Sequence, residues 1–231
     1  MKRDQLLLTC EHGGNAIPRA YAALFRGASK VLASHRGWDP GALQLARLLS
    51  RELRRPLLAV TTSRLFVEAN RAPTNPRIWS RFTKDLPRDE RKQILERWWR
   101  PHREAVERAA AVAAARGPVV HVAVHSFTPE LDGEVRNAEI GFLYDSKCKR
   151  EQALCRQWAA ILQRLDPSLR LRHNYPYRGD SDGLTTWLRK RHPESRYRGV
   201  ELEINQALVG GPRWRRFQAN VAQSLRELLG A

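Results

Sequence analysis

The sequence contains few cysteines: only Cys10, Cys148 and Cys155 occur among 231 residues. Three scattered thiols are too few for the disulfide framework of a small secreted domain. The seven-residue step from Cys148 to Cys155 also differs from the short Cys spacing of zinc ribbons. We therefore expect structural thiols, with Cys10 buried in a strand as a small hydrophobic residue.

Long apolar runs are missing as well. No stretch of the sequence approaches the roughly 20 apolar residues that a membrane-spanning helix needs. Residues 1–4 lead directly into a strand-length segment, without the apolar region and small-residue cleavage site of a secretory signal. We therefore expect a cytoplasmic protein with no membrane partner.

Acidic residues are scarce relative to basic ones, since 24 Asp and Glu stand against 41 Lys and Arg and give a formal charge of +17. Only 7 of the 41 basic residues are Lys, which leaves 41 − 7 = 34 Arg. A charge of this size favours an anionic substrate or a nucleic-acid partner. Because the arginines are spread along the whole chain, we interpret most of them as solvated helix surface. A basic nucleic-acid-binding protein remains the alternative of another functional class.

Strand patterns alternate with helical patterns along the chain, which predicts an α/β sandwich with a parallel or mixed sheet. We find no repeat, low-complexity tract or linker, so residues 1–231 are interpreted as one domain. Strands are predicted at 6–10, 56–62, 64–71, 119–124, 138–144, 169–174 and 200–205. Helices are predicted at 17–25, 42–53, 89–116 with a possible break at Pro101, 151–165, 183–190 and 212–229.

Polar side chains follow several of these predicted strands. They are Glu11 and His12, Asn70 and Arg71, His125 and Ser126, and Glu201 and Glu203. Asp39 opens a helix after the first strand. Ligands in open α/β sheets bind at the carboxyl ends of the strands, so these groups are candidates for one site. Two His and one carboxylate form the ligand set of a catalytic zinc, and a further carboxylate can serve as general base.

At these residues the sequence resembles the N-formylglutamate amidohydrolase family. The resemblance is carried, in chain order, by Glu11–Asn15, His35–Ala42, Ser63–Leu65 with Asn70–Arg71, His125–Pro129, and Glu203–Asn205. It implies a three-layer sandwich, with a mixed, mostly parallel sheet and helices on both faces. It also implies kinship with zinc hydrolases such as carboxypeptidase-like peptidases, aspartoacylase-type deacylases and cell-wall amidases. We therefore expect a single domain of this family over residues 1–231.

The resemblance also suggests roles in catalysis. His12 and His125 match zinc ligands, and Glu203 matches the catalytic carboxylate. Carboxypeptidase-like enzymes carry a ligand Glu three residues after the first His, where this chain has Asn15. By the resemblance to cell-wall amidases, whose second carboxylate comes from further downstream, Asp39 is expected to supply the missing ligand.

The expected substrate is a small acidic N-acyl amino acid, with N-formyl-L-glutamate as the nominal compound. The Asn70–Arg71 pair resembles the pair that holds a substrate carboxylate, since Arg offers a planar fork for such a group. Arg64 or Arg136 is expected to hold a second carboxylate or the oxyanion. Ser126, in its His–Ser pair, is assigned to substrate binding.

Several alternatives remain open from the sequence. His35 or Glu11 is an alternative to Asp39 as metal ligand, although Glu11 also suits an outer partner of an imidazole. Glu201 is the alternative to Glu203 as base. Arg71 has a purely structural alternative, an ion pair with Glu68 or with Asp85.

The same site also suits a zinc peptidase or a cell-wall amidase, and the loop at 72–87 would decide between an open and a closed cleft. Two further histidines are interpreted as having no catalytic role. His121 is expected in the core, and His102 is expected to be an ordinary surface or loop residue.

Overall fold

A six-stranded sheet forms the centre of the computed structural model, which describes residues 3–230. Its strands are β1 Gln5–Cys10, β2 Leu57–Ala59, β3 Val119–Phe127, β6 Ile140–Leu143, β7 Leu171–His173 and β8 Tyr197–Asn205, and β4 Glu130–Leu131 and β5 Glu134–Val135 form a separate hairpin. The spatial order is β2-β1-β3-β8-β6-β7. The first four of these are mutually parallel, and β6 and β7 run in the opposite direction. The expected mixed, mostly parallel sheet is confirmed.

Helices cover both faces of the sheet. The described helices are α1 Ser29–Ala33, α2 Ala42–Glu52, α3 Arg88–Ile94, α4 Arg100–Arg116, α5 Lys149–Leu165, α6 Leu184–Arg189 and α7 Trp214–Leu228, with 3-10 helices at Arg19–Phe25, Pro76–Ile78 and Gln206–Leu208. Helices α2, α5 and α7 pack on one face, and α4 and α6 pack on the other. Alternate residues of β1 therefore enter different cores: Leu6 and Leu8 face one layer and Leu7 faces the other. No helix within residues 3–230 is long and apolar enough to cross a membrane.

The predicted long helix contains a wide turn ahead of its proline. A π-helical turn, Leu95–Trp99, joins α3 to α4, and Pro101 lies in the first turn of α4. Proline lacks the N–H of a regular helical bond and its ring crowds the preceding turn, which a wider turn accommodates. The chain therefore remains helical through the predicted break.

The strand predicted at 64–71 is wrong, because this segment forms consecutive turns. Its amides bond locally or to the next loop: Glu68 N–H donates to Ile78 O (3.0 Å), and Asn70 N–H donates to the Glu68 carboxylate (3.0 Å). The apolar residues that suggested a strand, Phe66 and Val67 among them, fill a satellite core outside the sheet. The apolar pattern of this segment thus reflects burial in the satellite core and not pairing in a strand.

Candidate metal centre and substrate cavity

His12, Asp39 and His125 meet at the carboxyl ends of β1 and β3. One ligand atom from each lies within 4.8 Å of the other two, and all three side chains are buried. Asp39 Oδ2 is 3.2 Å from His12 Nδ1 and 3.0 Å from His125 Nδ1. Both imidazoles therefore direct the same ring nitrogen towards a single carboxylate oxygen.

Local backbone geometry brings Asp39 to this point. Asp39 N–H donates to His12 O at 2.9 Å, which ties the turn before α2 to the end of β1. Gly41, at the start of α2, has a φ of +82°, a conformation that favours glycine. A side chain at Gly14 would bring its Cβ to 2.5 Å from Thr61 O, so only glycine permits that close approach. The glycines of these two turns are thus required for backbone packing around the cluster.

A carboxylate lies against the second nitrogen of each imidazole. His12 Nε2 is 2.5 Å from Glu68 Oε1, and His125 Nε2 is 3.1 Å from Glu11 Oε2. His102 Nε2, from α4, lies 3.3 Å from the other Glu11 oxygen. Carboxylates in these positions orient metal-ligating histidines and fix their tautomers.

Glu68 is also held by Arg64. Its Oε2 accepts from Arg64 Nη2 at 2.7 Å and from Nε at 2.9 Å, and the same guanidinium donates to Asp39 Oδ1 at 3.2 Å. Arg64 is thus bound to two carboxylates of the cluster. This leaves less of its guanidinium for the substrate contact expected from the sequence.

The buried charges of the cluster stabilise one another. Burial alone would raise the pKa of Asp39, but His12, His125 and Arg64 outweigh it and hold that pKa well below its usual range. Burial would lower the pKa of His125, and the Asp39 and Glu11 carboxylates raise it instead. These two carboxylates thus favour the protonated form of the His125 imidazole. A metal bound at Nδ1 would displace that proton, since it takes neutral imidazole as ligand.

Glu203 lies beside this cluster, and its pKa is shifted in the opposite direction from that of Asp39. It pairs with His125 in the register of β8 with β3, and its side chain is buried. Among the described residues, its Oε2 has no hydrogen-bond partner. Burial, together with the Asp39 and Glu201 carboxylates, raises the pKa of Glu203 to about 8. Glu201 is placed differently, because its Oε1 accepts a hydrogen bond from Thr185 at 2.9 Å.

A cavity of about 600 Å³ opens above the cluster. Its lining contains most residues expected from the sequence: His12, Asp39, Arg64, Asn70, Arg71, His125, Ser126, Glu201 and Glu203, with His35 as well. Ser126 Oγ donates to Pro40 O at 2.8 Å and accepts from Gln206 at 3.0 Å, so it has partners within the protein. Arg136 is not part of the lining. Its guanidinium lies over the Tyr177 ring, 5.1 Å from the centroid.

The Asn70–Arg71 pair is held by hydrogen bonds to the main chain of Asp182 and Leu184. Asn70 Oδ1 accepts from Leu184 N–H at 2.7 Å, which leaves the Nδ2 donors of the same amide for another partner. Arg71 Nη1 donates to Asp182 O at 2.8 Å. Arg71 forms no ion pair with Glu68 or Asp85, the two partners considered from the sequence: Glu68 pairs with His12 and Arg64, and Asp85 pairs with Lys84. The carbonyl of Arg71 accepts from Trp99 Nε1 at 3.0 Å.

Asp182 anchors the loop that follows this pair. Its Oδ2 accepts from Ala72 N–H at 3.0 Å and from Asn75 Nδ2 at 2.7 Å. The loop 70–75 is thus joined to the segment before α6 by backbone and side-chain bonds. Arg71 is held in position although its own charge has no carboxylate partner among the ion pairs of residues 3–230.

Two residues of the site were not found from the sequence. Glu68 was considered only as an ion-pair partner, and the tertiary structure places it against His12. His102 was expected to be an ordinary surface or loop residue, but it lies on α4, and its side chain is 8% exposed and contacts Glu11. The helical spacing of His102 with the buried Val106 was a signal for an inward-facing histidine. His121 is a core residue as expected, between Thr9 Oγ1 and Tyr197 Oη.

Comparison with known proteins gives the sequence and the geometry a common explanation. The family model for N-formylglutamate amidohydrolase matches residues 4–209. The crystal structure of a gene product from Agrobacterium tumefaciens is 34% identical, with a TM-score of 0.80 over 99% of this chain and 90% of that one. N-formylglutamate amidohydrolase from Ralstonia eutropha is 18% identical, with a TM-score of 0.70 over 98% of this chain and 94% of that one. No curated protein matches the sequence.

The fold and the family match together define an α/β amidohydrolase. More narrowly, the chain belongs to the N-formylglutamate amidohydrolase family, because the family model spans most of its length. The resemblance found in the strand-end motifs is therefore confirmed.

Proposed function

We propose that this chain is a zinc-dependent amidohydrolase that cleaves the amide bond of a small N-acyl amino acid, with N-formyl-L-glutamate as the nominal substrate. The observation that carries the proposal is the convergence of two imidazole Nδ1 atoms and the Asp39 carboxylate, beneath a cavity that the buried Glu203 also lines. Membership of the family supports the amide as the bond that is cleaved. In this proposal residues 1–231 act as one domain.

The donor set fits a zinc ion. Two imidazole nitrogens and one carboxylate oxygen are ligands that zinc accepts, and they leave a coordination position open. Glu68 and Glu11 lie at the two Nε2 atoms, so the Nδ1 atoms of His12 and His125 are the ones directed to the shared point. In this proposal His12, Asp39 and His125 hold the metal, and Glu11 and Glu68 orient the imidazoles.

A zinc ion held there would supply Lewis-acid polarisation of the substrate carbonyl and would favour deprotonation of a water near neutral pH. In its ionised form, which the positive charge of a bound metal would favour, Glu203 accepts a proton from the attacking water as the new C–O bond forms. It then delivers that proton to the amide nitrogen as the C–N bond breaks, so that the amine leaves neutral and the acyl group leaves as a carboxylic acid. Glu203 is preferred to Glu201 for this role because Thr185 occupies an oxygen of Glu201.

The Asn70–Arg71 pair is proposed to bind the carboxylate of the amino acid. Both side chains line the cavity, and each retains donors after its internal bonds are counted. A guanidinium and an amide together offer several N–H groups to one carboxylate. Asp182 would fix the position of Arg71 through the loop that it anchors.

The test is a substrate screen with zinc-reconstituted protein. N-formyl, N-acetyl and N-succinyl amino acids are offered to the parent and to His12→Ala, Asp39→Ala and His125→Ala, and zinc content is measured for each. We expect one bound zinc and amide hydrolysis in the parent, and loss of both in the three variants. Asp85→Ala, at an exposed position away from the cavity, serves as the control.

A parent protein that binds no zinc after reconstitution would contradict the proposed mechanism. Hydrolysis of peptides or cell-wall amides, with N-acyl amino acids untouched, would favour the peptidase or amidase alternative. Tight binding of DNA or RNA at physiological salt, unaffected by His12→Ala, would favour the nucleic-acid alternative instead.

A further inference from the structure

Several arginines that line the cavity already have partners within the protein. Arg64 is bound to two carboxylates of the cluster. Arg178 pairs with Asp180, with Nη2 at 2.8 Å from Oδ2. Arg71 donates to a main-chain carbonyl and is assigned above to the substrate carboxylate.

Arg36 and Arg77 also line the cavity, and neither guanidinium is engaged. Both side chains are exposed, and among residues 3–230 neither forms a side-chain hydrogen bond, an ion pair or a contact over an aromatic ring. The guanidinium groups of Arg36 and Arg77 therefore place two solvent-exposed positive charges at the cleft. They are available to an anion that enters it.

The cleft continues past these two residues. A second cavity of about 280 Å³ shares Arg36, Arg64, Leu65 and Arg77 with the main one. Arg81 also lines this second cavity, and its guanidinium lies over the Phe82 ring, 4.9 Å from the centroid.

The charge of the second cavity is strongly one-sided. Four arginines line it, whereas Glu68 is the only acidic residue of its lining within residues 3–230. That carboxylate is already bonded by Arg64 and His12. The uncompensated charge therefore belongs to Arg36, Arg77 and Arg81.

We propose that Arg36, Arg77 and Arg81 form an anion-binding subsite, here called the arginine subsite, which receives a second carboxylate of an extended substrate. The inference deepens the proposed function and rests on it, because the first carboxylate is assigned to Arg71. Guanidinium groups bind carboxylates through paired N–H donors, which suits them to this ligand.

The size of the cleft extends the substrate class beyond small formyl amino acids. A cavity of about 600 Å³ lies within the range that holds drug-sized ligands, and the second cavity adds to it. The second carboxylate has two chemical sources. It is either the end of a dicarboxylic acyl group, or it belongs to the acidic side chain of the amino acid that is released.

Two matched pairs of compounds separate these sources. N-acetyl-L-glutamate and N-acetyl-L-glutamine differ only by a charge on the amino-acid side. N-succinyl-L-alanine and N-succinamoyl-L-alanine differ only by a charge on the acyl side. For each pair, kcat/KM is measured for the acid and for the amide with zinc-reconstituted protein, and the acid-to-amide ratio is calculated. Binding affinities of the same two compounds for Glu203→Gln protein are measured by calorimetry, and their acid-to-amide ratio is calculated in the same way.

The variant is Arg36→Gln combined with Arg77→Gln, and Arg215→Gln is the control. Arg215 is an exposed arginine on α7 outside both cavities, so its replacement removes a charge without altering the cleft. Each partly solvated arginine is expected to contribute about two- to fivefold to the preference for the acid. The double variant should therefore lose about tenfold of that preference in at least one pair, with the amide compound affected less than twofold. The preference should also weaken as salt is added.

An acid-to-amide ratio that is unchanged by the double substitution in both pairs overturns the inference. A control variant that loses as much preference as the double variant also overturns it, because the effect would then come from overall charge. Failure of the proposed function is a separate result. If no compound is hydrolysed but calorimetry still shows the acid preference and its loss, the arginine subsite stands without the reaction.

Discussion

Glu68→Gln is expected to weaken zinc binding about 10- to 100-fold, although Glu68 is not one of the proposed ligands. Its carboxylate lies 2.5 Å from His12 Nε2, so it holds a proton on that nitrogen and leaves Nδ1 free to bind a cation. Glutamine keeps a hydrogen-bond acceptor but loses the charge. It also deprives Arg64 of its bonds of 2.7 and 2.9 Å to a carboxylate, which leaves a positive charge near the metal.

The expected loss corresponds to about 1.4 to 2.7 kcal/mol of binding free energy. Zinc affinity is measured by competition with a chromophoric chelator at neutral pH, and thermal unfolding checks that the variant is folded. Glu134→Gln, at an exposed position on β5, is the matched control and should bind zinc as the parent does. Asp39→Asn removes a proposed ligand and should weaken binding more than Glu68→Gln does.

A folded Glu68→Gln protein with zinc affinity within twofold of the parent would refute this reasoning. A Glu68→Gln variant that loses more affinity than Asp39→Asn would instead assign Glu68 as the ligand. The two carboxylates have different expected roles because they face different nitrogens of His12: Glu68 faces Nε2, and Asp39 faces Nδ1.

Three further outcomes are expected. Glu203→Gln should retain zinc and lose about 10²- to 10⁴-fold in kcat, measured beside metal content, because it removes the proposed base; unchanged turnover would reassign that role. Asp182→Ala should raise KM by about tenfold, which corresponds to roughly the free energy of one hydrogen bond, with kcat little changed, because it frees the loop that carries Arg71. Asp85→Ala, away from the cavity, is its control, and a fall in kcat alone would argue against a positioning role. Burial lowers the pKa of His121 to about 4, below its unfolded value near 6.5. The unfolded state therefore binds more protons between these values, and stability should fall by up to about 3 kcal/mol as pH drops from 6.5 to 4. Urea unfolding should show that the stability of His121→Gln falls less than that of the parent between pH 6.5 and pH 4. An equal fall in both proteins would contradict the role of His121.

The sequence by itself determined where the central groups of the site would lie. His12 and His125 follow or end apolar strands, and Glu203 occupies a late strand of the same kind. Carboxyl ends of neighbouring parallel strands share one edge of a sheet, so a strand assignment places such groups together without any knowledge of the loops. The structure agrees with this reasoning, because His125 of β3 pairs directly with Glu203 of β8. Asp39 required a resemblance to relatives, because no periodic pattern predicts how a turn folds back.

Tertiary structure alone decided the surroundings of these groups. Glu68 reaches His12 across 56 positions of sequence because the segment 64–71 folds as turns rather than as the predicted strand. In a chain with 34 arginines among its 41 basic residues, composition does not indicate which guanidinium is free. Arg64 is bound by carboxylates, whereas Arg36 and Arg77 face the cleft. Strand positions follow from a repeating local pattern, but ion-pair partners depend on distances between loops, and those distances exist only once the chain has folded.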